Sequence, residues 1–194
     1  MYLRYDPCCL LVMNKLPLYL TALLPPPQLA SKEYATKLAI SNKYDTHIAI
    51  TKPAHITLVP PYSATDEQLD KLIPIHQAAA WQSVPFDLML EGFGCFEGNR
   101  AVFINVQPNE SLQQLYELLK TGFITLGHSK EKHFHPGPLR PHLTVAFRDL
   151  SPETFRAIWQ AYEHEPFSAM FPVNSIWIMK YVDKVWVPWR EFSF

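Results

Sequence analysis

The hydrophobic and polar positions along the chain predict alternating short strands and longer helices. Apolar residues alternate with polar ones in some segments and recur every three or four residues in others. The predicted strands cover residues 16–24, 54–59, 86–96, 101–106, 142–147, 173–182 and 185–194. The predicted helices cover residues 28–43, 65–81 and 111–123, and a fourth begins at residues 151–153. A loop rich in His, Lys, Gly and Pro is predicted over residues 127–140.

Proline positions set several of these boundaries. The prolines at 25–27 end the first strand and those at 60 and 61 end the second, because proline lacks the N–H that a central strand donates. Pro74 is expected to kink or split the second helix. The apolar positions assigned to the first helix include Leu29, Ala35, Leu38 and Ala39.

The same order of elements occurs twice. Each copy has a strand with His-x-Thr, a turn, a capped helix, a Pro-Phe pair and further strand, and the copies begin at His55 and His142. This repeat predicts an α+β fold in which two pseudo-symmetric lobes of antiparallel sheet, with helices outside, form a single bilobal domain over residues 1–194. Residues 1–12 differ in character from the rest. Met13 is therefore a candidate for the true start, and a short ordered N-terminal extension is the alternative.

The two His-x-Thr strands carry the candidate chemistry. Side chains two apart on a strand share a face, so His55 lies beside Thr57 and His142 lies beside Thr144. If a pseudo-twofold axis relates the lobes, the two pairs face each other across a central cleft. A single strand of this kind is explained as well by a half-buried, hydrogen-bonded histidine, whereas the matched pair favours a site.

Such a pair suits phosphoryl chemistry. The unperturbed pKa of histidine lies near 6.5, so one imidazole can accept a proton from water while the other gives one to the leaving oxygen. Threonine hydroxyls can stabilise the charge on the phosphate oxygens. The predicted catalytic residues are His55, Thr57, His142 and Thr144, with no metal ligand and no cofactor, since imidazole handles the protons.

Residues 53–58 (PAHITL) and 140–145 (RPHLTV) resemble the two signature motifs of the 2H phosphoesterase superfamily. The branch most similar is the bacterial 2′–5′ RNA ligase / RNA 2′,3′-cyclic phosphodiesterase group, and the resemblance covers about residues 16–194. It implies two lobes around a central cleft, hydrolysis of cyclic nucleotide phosphates, usually to a 2′-phosphate, and in some members reversible 2′,5′ joining of RNA ends. It also favours His55 as the acid and His142 as the base, an order that the residues alone leave open.

This sequence departs from the family pattern in one place. Many RNA-processing members carry an arginine five residues after the second motif histidine, where this chain has Phe147. Arg148 follows one residue later, and on a regular strand that shift turns the side chain to the other face unless a bulge re-aims it. The predicted substrate-binding residues are Arg140, Arg148, Phe147, Tyr62 and Phe93, with Phe96, Lys52 and Arg100 as further candidates for stacking or charge.

The balance of charge narrows the expected substrate. The 17 Lys and Arg against 18 Asp and Glu give a net charge of −1, without the basic excess of proteins that grip long nucleic acids. The expected partner is therefore an RNA end or a small cyclic nucleotide, bound by a monomer. The sparse cysteines, Cys8, Cys9 and Cys95, and the absence of a long apolar run predict a cytoplasmic protein that has no disulfide framework and does not enter a membrane.

Two other functions stay open on the sequence. One is a non-catalytic module that binds a nucleotide or RNA end on the same scaffold, although binding alone does not require two titrating groups. The other is a metal-dependent hydrolase built on His128, His133 and His135, although no CxxC, HExxH or acidic ligand spacing accompanies them. P-loop, GxGxxG and GxSxG motifs do not occur, so the enzyme classes that depend on them have no support.

Overall fold

The computed structural model describes residues 16–128, 134 and 137–194. The strands of this part of the chain are β1 (Leu18–Leu23), β2 (Ile56–Ser63), β3 (Phe86–Phe96), β4 (Ala101–Val106), β5 (His142–Ala146), β6 (Ser168–Val173), β7 (Ser175–Val182) and β8 (Val185–Ser193). The helices are α1 (Pro27–Tyr44), α2 (Asp66–Trp81), α3 (Glu110–Thr125) and α4 (Pro152–Tyr162), and a short 3-10 turn, Ala49–Thr51, precedes β2. The α+β class predicted from the sequence is confirmed.

The strands form one antiparallel sheet with the order β6-β3-β4-β5-β2-β1-β7-β8. It divides into two halves of four strands, β6-β3-β4-β5 and β2-β1-β7-β8. A single residue pair, Ile56 with Leu143, joins β2 to β5 at the centre. Each half therefore has one His-x-Thr strand at its inner edge, which is the two-lobed, pseudo-symmetric arrangement predicted from the repeat.

The helices pack across this junction. Helix α1 connects β1 to β2 in the chain, yet it packs against β5 and α4 on the other half of the sheet. Helix α3 connects β4 to β5, and it packs against β2 and α2. Each half therefore supplies the helix that covers the histidine strand of the other half.

Side-chain caps explain where three of the helices begin. The hydroxyl of Thr65 accepts a hydrogen bond from the backbone N–H of Gln68, whose side chain accepts one from the N–H of Thr65. Asn109 caps α3 and Ser151 caps α4, each with a side-chain oxygen that accepts a backbone N–H three residues later. These caps fix the ends of the helices that flank the two histidine strands.

The boundary predicted at the prolines of β2 is wrong. The strand continues through residues 60 and 61 and ends at Ser63. Tyr19 pairs with Tyr62 and Thr21 with Val59, so the two prolines lie in a β-bulge. A residue in a bulge does not have to donate to the neighbouring strand, which is why proline is tolerated there.

Two further element predictions need correction. Helix α2 is continuous across Pro74, so of the two predicted alternatives, a kink or a split, the split does not occur. The predicted strand over 173–182 is β7, which begins two residues later, at Ser175, because Val173 is the last residue of a separate strand, β6. The chain crosses at Asn174 from a strand paired with β3 to one paired with β1, in the other half of the sheet.

The buried face of α1 also differs from the predicted one. Ala35, Leu38 and Ala39 are exposed. The residues that α1 buries are Leu29, Glu33, Lys37, Ile40 and Ser41. The inward face of the helix includes an ion pair between Glu33 and Lys37, which the apolar pattern alone does not indicate.

None of the helices described here has an apolar stretch long enough to cross a lipid bilayer. Cys95 is a free, half-buried thiol. The expectations about Cys8, Cys9 and Met13, and those about His133 and His135, fall on residues outside the described part of the chain.

Candidate active site

A cavity of about 370 Å³ opens where the two halves of the sheet meet. One half contributes His55 and Thr57 to its wall, and the other contributes Thr144 and Arg148. Helix α1 adds Lys37. Three of the four predicted catalytic residues therefore line one cavity.

Each of the two histidines is held by a hydrogen bond from its ring to the backbone carbonyl two residues earlier. Nδ1 of His55 lies 2.8 Å from the carbonyl oxygen of Pro53, and Nδ1 of His142 lies 2.8 Å from that of Arg140. A carbonyl oxygen only accepts, so the proton of each ring is on Nδ1, and Nε2 of the neutral ring is left as an acceptor. Both imidazoles thus offer the same nitrogen for proton transfer.

The register at the junction aligns the two motifs. Ile56 pairs with Leu143, and both side chains are fully buried. In an antiparallel pair the flanking residues oppose each other, so each histidine is set towards the threonine of the other strand. Along each strand the histidine and the threonine alternate with the buried aliphatic residue, so they lie on the other face of the sheet. His55, Thr57 and Thr144 line the cavity on that face.

Burial lowers the pKa of both histidines. The hydrogen bond from each ring to a backbone carbonyl opposes the shift. The charges of Lys37, His142 and Lys52 lower the pKa of His55 further, and the charge of Arg140 does the same to His142. At pH 7 both imidazoles are therefore mainly neutral, and an anion bound nearby favours the protonation of one of them.

Two basic side chains reach the cavity beside His55. Lys52 and Arg148 both line the cavity, and burial together with the charge of Arg148 lowers the pKa of Lys52. Strand β5 ends at Ala146, and Arg148 adopts a left-handed backbone conformation with φ 72°. This local turn re-aims the arginine into the cavity, and Phe147 lines the cavity as well.

Aromatic rings enclose His142. Its ring centroid lies 5.0 Å from that of Phe96 and 5.1 Å from that of Phe103. The guanidinium of Arg140 lies 4.9 Å from the centroid of Phe96. The exposed Arg140 therefore places a positive charge beside the second histidine, on top of an aromatic ring.

The family follows from comparison with known proteins. A family model described as the 2′-5′ RNA ligase superfamily matches residues 25–185. The chain belongs to this superfamily. The resemblance predicted from the two motifs is confirmed.

Several curated proteins that are similar in sequence to this chain are named as phosphoesterases. A protein of Bacillus cytotoxicus, named provisionally as a phosphoesterase, is 32% identical over 108 residues, which are 55% of this chain and 58% of the relative. A Geobacillus kaustophilus protein with the same provisional name is 30% identical over 109 residues, 56% of this chain and 58% of the relative. The matched region thus spans somewhat more than half the length of these relatives.

Solved structures share the fold of this superfamily member. E. coli LigT complexed with 3′-AMP superposes with a TM-score of 0.65 at 19% identity, over 93% of this chain and 99% of LigT. A Thermus thermophilus protein superposes with a TM-score of 0.61 at 21% identity, over 91% of this chain and 97% of that protein. At such identities the likeness shows the fold. The chain therefore shares both the superfamily and the LigT-like fold.

Two of the residues predicted to bind substrate, Tyr62 and Phe93, lie away from the cavity. The ring of Tyr62 packs edge-on against Phe123, with 5.0 Å between centroids. Phe93 is buried and packs edge-on against Tyr162 at 5.1 Å. Neither is among the described residues that line the cavity. Both rings fill core space, which is the more common place for an aromatic side chain.

Two other candidates also have structural partners elsewhere. Arg100 donates from Nε to the carbonyl oxygen of Leu150 at 2.8 Å. His128 packs edge-on against Tyr62, 5.5 Å between centroids. Within the described residues, no three His, Cys, Asp or Glu side chains converge as ligands of a metal ion.

Among the cavity-lining residues that the sequence prediction missed are two charged and two aromatic ones: Glu33, Lys37, Tyr181 and Trp186. A signal for the first two existed, because Glu and Lys four apart share a helix face and are in phase with Leu29. The two aromatic residues belong to the β7–β8 hairpin, and nothing in the local pattern indicates that it reaches the cavity.

Proposed function

We propose that this superfamily member hydrolyses a 2′,3′-cyclic phosphate, at an RNA end or on a small nucleotide, to a 2′-phosphate without a metal ion. The observation that carries the proposal is the matched hydrogen bond of His55 and His142, which leaves Nε2 of each ring for proton transfer. The choice of a nucleotide is supported by the shared fold of LigT, whose structures hold 3′-AMP, ATP and NADP⁺.

The proposed reaction uses one imidazole in each charge state. His142 accepts a proton from the water that attacks phosphorus. His55 donates a proton to the ribose 3′-oxygen as its bond to phosphorus breaks, and the products are a 2′-phosphate and a 3′-hydroxyl. Each proton transfer of this kind contributes roughly 10²- to 10⁴-fold to the rate. Exchange with solvent then restores both histidines.

The remaining residues of the cavity hold the phosphate. The hydroxyls of Thr57 and Thr144 donate to the nonbridging oxygens, on which negative charge builds up in the transition state. Lys52 and Arg148 supply positive charge next to His55. With the 5′-hydroxyl of a second RNA in place of water, the same steps give a 2′,5′ linkage, which is the ligase activity expected from the family.

The test is hydrolysis of a short RNA that ends in a 2′,3′-cyclic phosphate, with a chelator present and the product resolved as 2′- or 3′-phosphate. A 2′,3′-cyclic mononucleotide is assayed in parallel. We expect metal-free formation of the 2′-phosphate, lost by about 10²-fold or more in His55→Ala and in His142→Ala. His164→Ala, a change at an exposed histidine, is the matched control and keeps full activity.

Two results decide against the proposal. Turnover that is undiminished in both variants contradicts the two-histidine mechanism. Binding of the nucleotide without turnover of either substrate indicates a non-catalytic module instead.

The order of acid and base has its own test. A 2′-phosphodiester whose leaving group is p-nitrophenolate needs little protonation of the leaving oxygen, so the general acid matters less for it. We expect His55→Ala to lose far less activity on this ester than on the cyclic phosphate, while His142→Ala loses activity on both. The reverse pattern assigns the acid to His142.

A further inference from the structure

Glu33 and Lys37 form a buried ion pair on the inner face of α1. Both side chains are only 2% exposed, and both line the cavity that contains His55. Burial raises the pKa of Glu33 to about 7, although Lys37 lowers it, and burial also lowers the pKa of Lys37. A pair that is so well shielded from water costs desolvation free energy, so its presence calls for a reason.

The fold itself does not require charges at this place. Helix α3 has the matching position in the other half, where it covers β2 as α1 covers β5. The residues that α3 buries are Leu112, Leu115, Tyr116, Leu119 and Phe123. An apolar and aromatic face is thus sufficient to pack a helix on a histidine strand. The ion pair of α1 is a departure from the symmetry of the two halves.

A chain of hydrogen bonds leads from the ion pair to the first histidine. Nζ of Lys37 donates to the carbonyl oxygen of Lys52 at 2.9 Å. The next residue, Pro53, supplies the carbonyl oxygen that accepts the Nδ1 proton of His55 at 2.8 Å. Glu33 pairs with the same ammonium group and limits where it can point.

We propose that Lys37, held by Glu33, positions His55 for proton transfer by fixing the Lys52–Pro53 segment to which the imidazole is tied. Lys37 is a positioning residue, because it acts through the backbone and does not have to touch the substrate. The inference rests on the proposed function for its catalytic consequence, but the link from Lys37 to His55 exists with or without turnover.

The charge of Lys37 has a second effect on the same ring. The charged and titratable groups that bear on His55 are Lys37 from α1, Lys52 from the preceding loop and His142 from β5, and Glu33 and Arg148 line the same cavity. The positive charges of Lys37, Lys52 and His142 each disfavour the protonated form of His55. Loss of Lys37 alone therefore makes His55 easier to protonate.

The decisive variant replaces both members of the pair, Glu33→Leu with Lys37→Met. Replacing a buried ion pair by apolar residues of similar size often leaves stability unchanged or higher, so this variant is expected to fold with an unaltered or raised Tm. We expect its kcat on the cyclic phosphate to fall by about 10- to 100-fold with little change in KM, because misplacement of a catalytic group acts mainly on the chemical step. The exposed pair Glu67–Lys71, changed in the same way, is the matched control with unaltered kcat.

A readout without substrate separates this inference from the proposed function. Nitrogen NMR of the histidine rings reports which nitrogen of His55 carries the proton. The wild type is expected to hold it on Nδ1, and the double variant to shift towards the Nε2 form. In Lys37→Met the pKa of His55 is expected to rise, because a charge that disfavours the imidazolium is removed.

The outcomes are distinct. A wild type without turnover but with a His55 tautomer that responds to the double variant refutes the proposed function and keeps the positioning link. A double variant that folds with unchanged kcat and an unchanged His55 tautomer overturns the inference.

Discussion

Ile56 lies directly opposite Leu143 in the sheet, and this one pair joins its two halves. Each residue follows a motif histidine in the chain, and each is fully buried. The distance between the two imidazoles therefore depends on a contact between two aliphatic side chains behind them. A change in how these two side chains pack in the core is therefore expected to move the histidines of the candidate active site on the other face of the sheet.

Leu143→Ala tests this dependence. We expect a loss of about 2–5 kcal/mol in the free energy of unfolding, from the lost transfer free energy and the cavity left behind. We also expect kcat of the folded fraction to fall, because the junction relaxes. Urea unfolding and turnover at low temperature measure the two effects. Leu115→Ala removes an equally buried leucine of α3 and is expected to lose stability but keep kcat per folded molecule; equal kcat in both variants contradicts the coupling.

Thr57→Val and Thr144→Val test the role of the hydroxyls. Each change keeps the shape of the side chain and removes one donor to the phosphate oxygens. We expect kcat to fall by about 10²-fold for each, with KM changed less, since the interaction strengthens in the transition state. Thr36→Val, which removes a hydroxyl on the exposed side of α1, is the control. A pure KM effect in the two site variants assigns the hydroxyls to ground-state binding.

The dependence of activity on pH follows from the lowered pKa of both histidines. The reaction needs one imidazole protonated, and that proton is lost as the pH rises through a pKa below the usual 6.5. We therefore expect kcat/KM to reach its maximum below pH 6.5 and to fall at higher pH. A phosphodiester substrate has no titration in this range, so a profile from pH 4 to 9 reports the enzyme. A maximum above pH 7 contradicts the depressed values.

Arg148→Gly separates the charge of this residue from its backbone conformation. Glycine adopts φ 72° without strain, so the turn after β5 is kept while the guanidinium is lost. We expect KM to rise about tenfold, the effect of about 1.4 kcal/mol of lost binding, with Tm unchanged or higher. Lys184→Gly, at another basic residue with positive φ, is the control for the glycine itself. Equal KM values for the two variants indicate that Arg148 does not contact the phosphate.

The burial of His76 leads us to expect that the free energy of unfolding depends on pH, independently of catalysis. It is fully buried between Thr21 and the carbonyl of Leu72, and burial lowers its pKa to about 4. The unfolded chain, with a pKa near 6.5, binds the proton more readily, so stability is lost as the pH falls from 6.5 to 4. The loss amounts to roughly 3 kcal/mol. Urea unfolding at pH 7, 5.5 and 4.5 should show a flatter dependence in His76→Gln, and equal slopes contradict this account.

Much of the site could be predicted because it is encoded locally. The alternation of His55 and Thr57 with aliphatic residues fixes their face within one strand, and the same holds for His142 and Thr144. The orientation of the Arg148 side chain was harder to predict, because it depends on a left-handed backbone conformation that arginine rarely adopts.

What the sequence did not reveal depends on contacts between distant segments. Lys37 is buried because α1 packs on β5 of the other half, and a helix read alone places a lysine outside. Tyr62 and Phe93 were assigned to the substrate because they lie near the motifs in the chain. The bulge before Tyr62 and the inward face of β3 at Phe93 send both rings into the core.

The exchange of α1 and α3 between the halves makes this molecule equivalent to a domain-swapped dimer drawn from one polypeptide. A true dimer of one half would have two identical histidines with identical neighbours. The two copies in this single chain differ in sequence, so the charge of Lys37 lowers the pKa of His55 while the ring of Phe96 packs against that of His142. The two imidazoles thus occupy corresponding positions with different surroundings, as the separate acid and base roles proposed for them require.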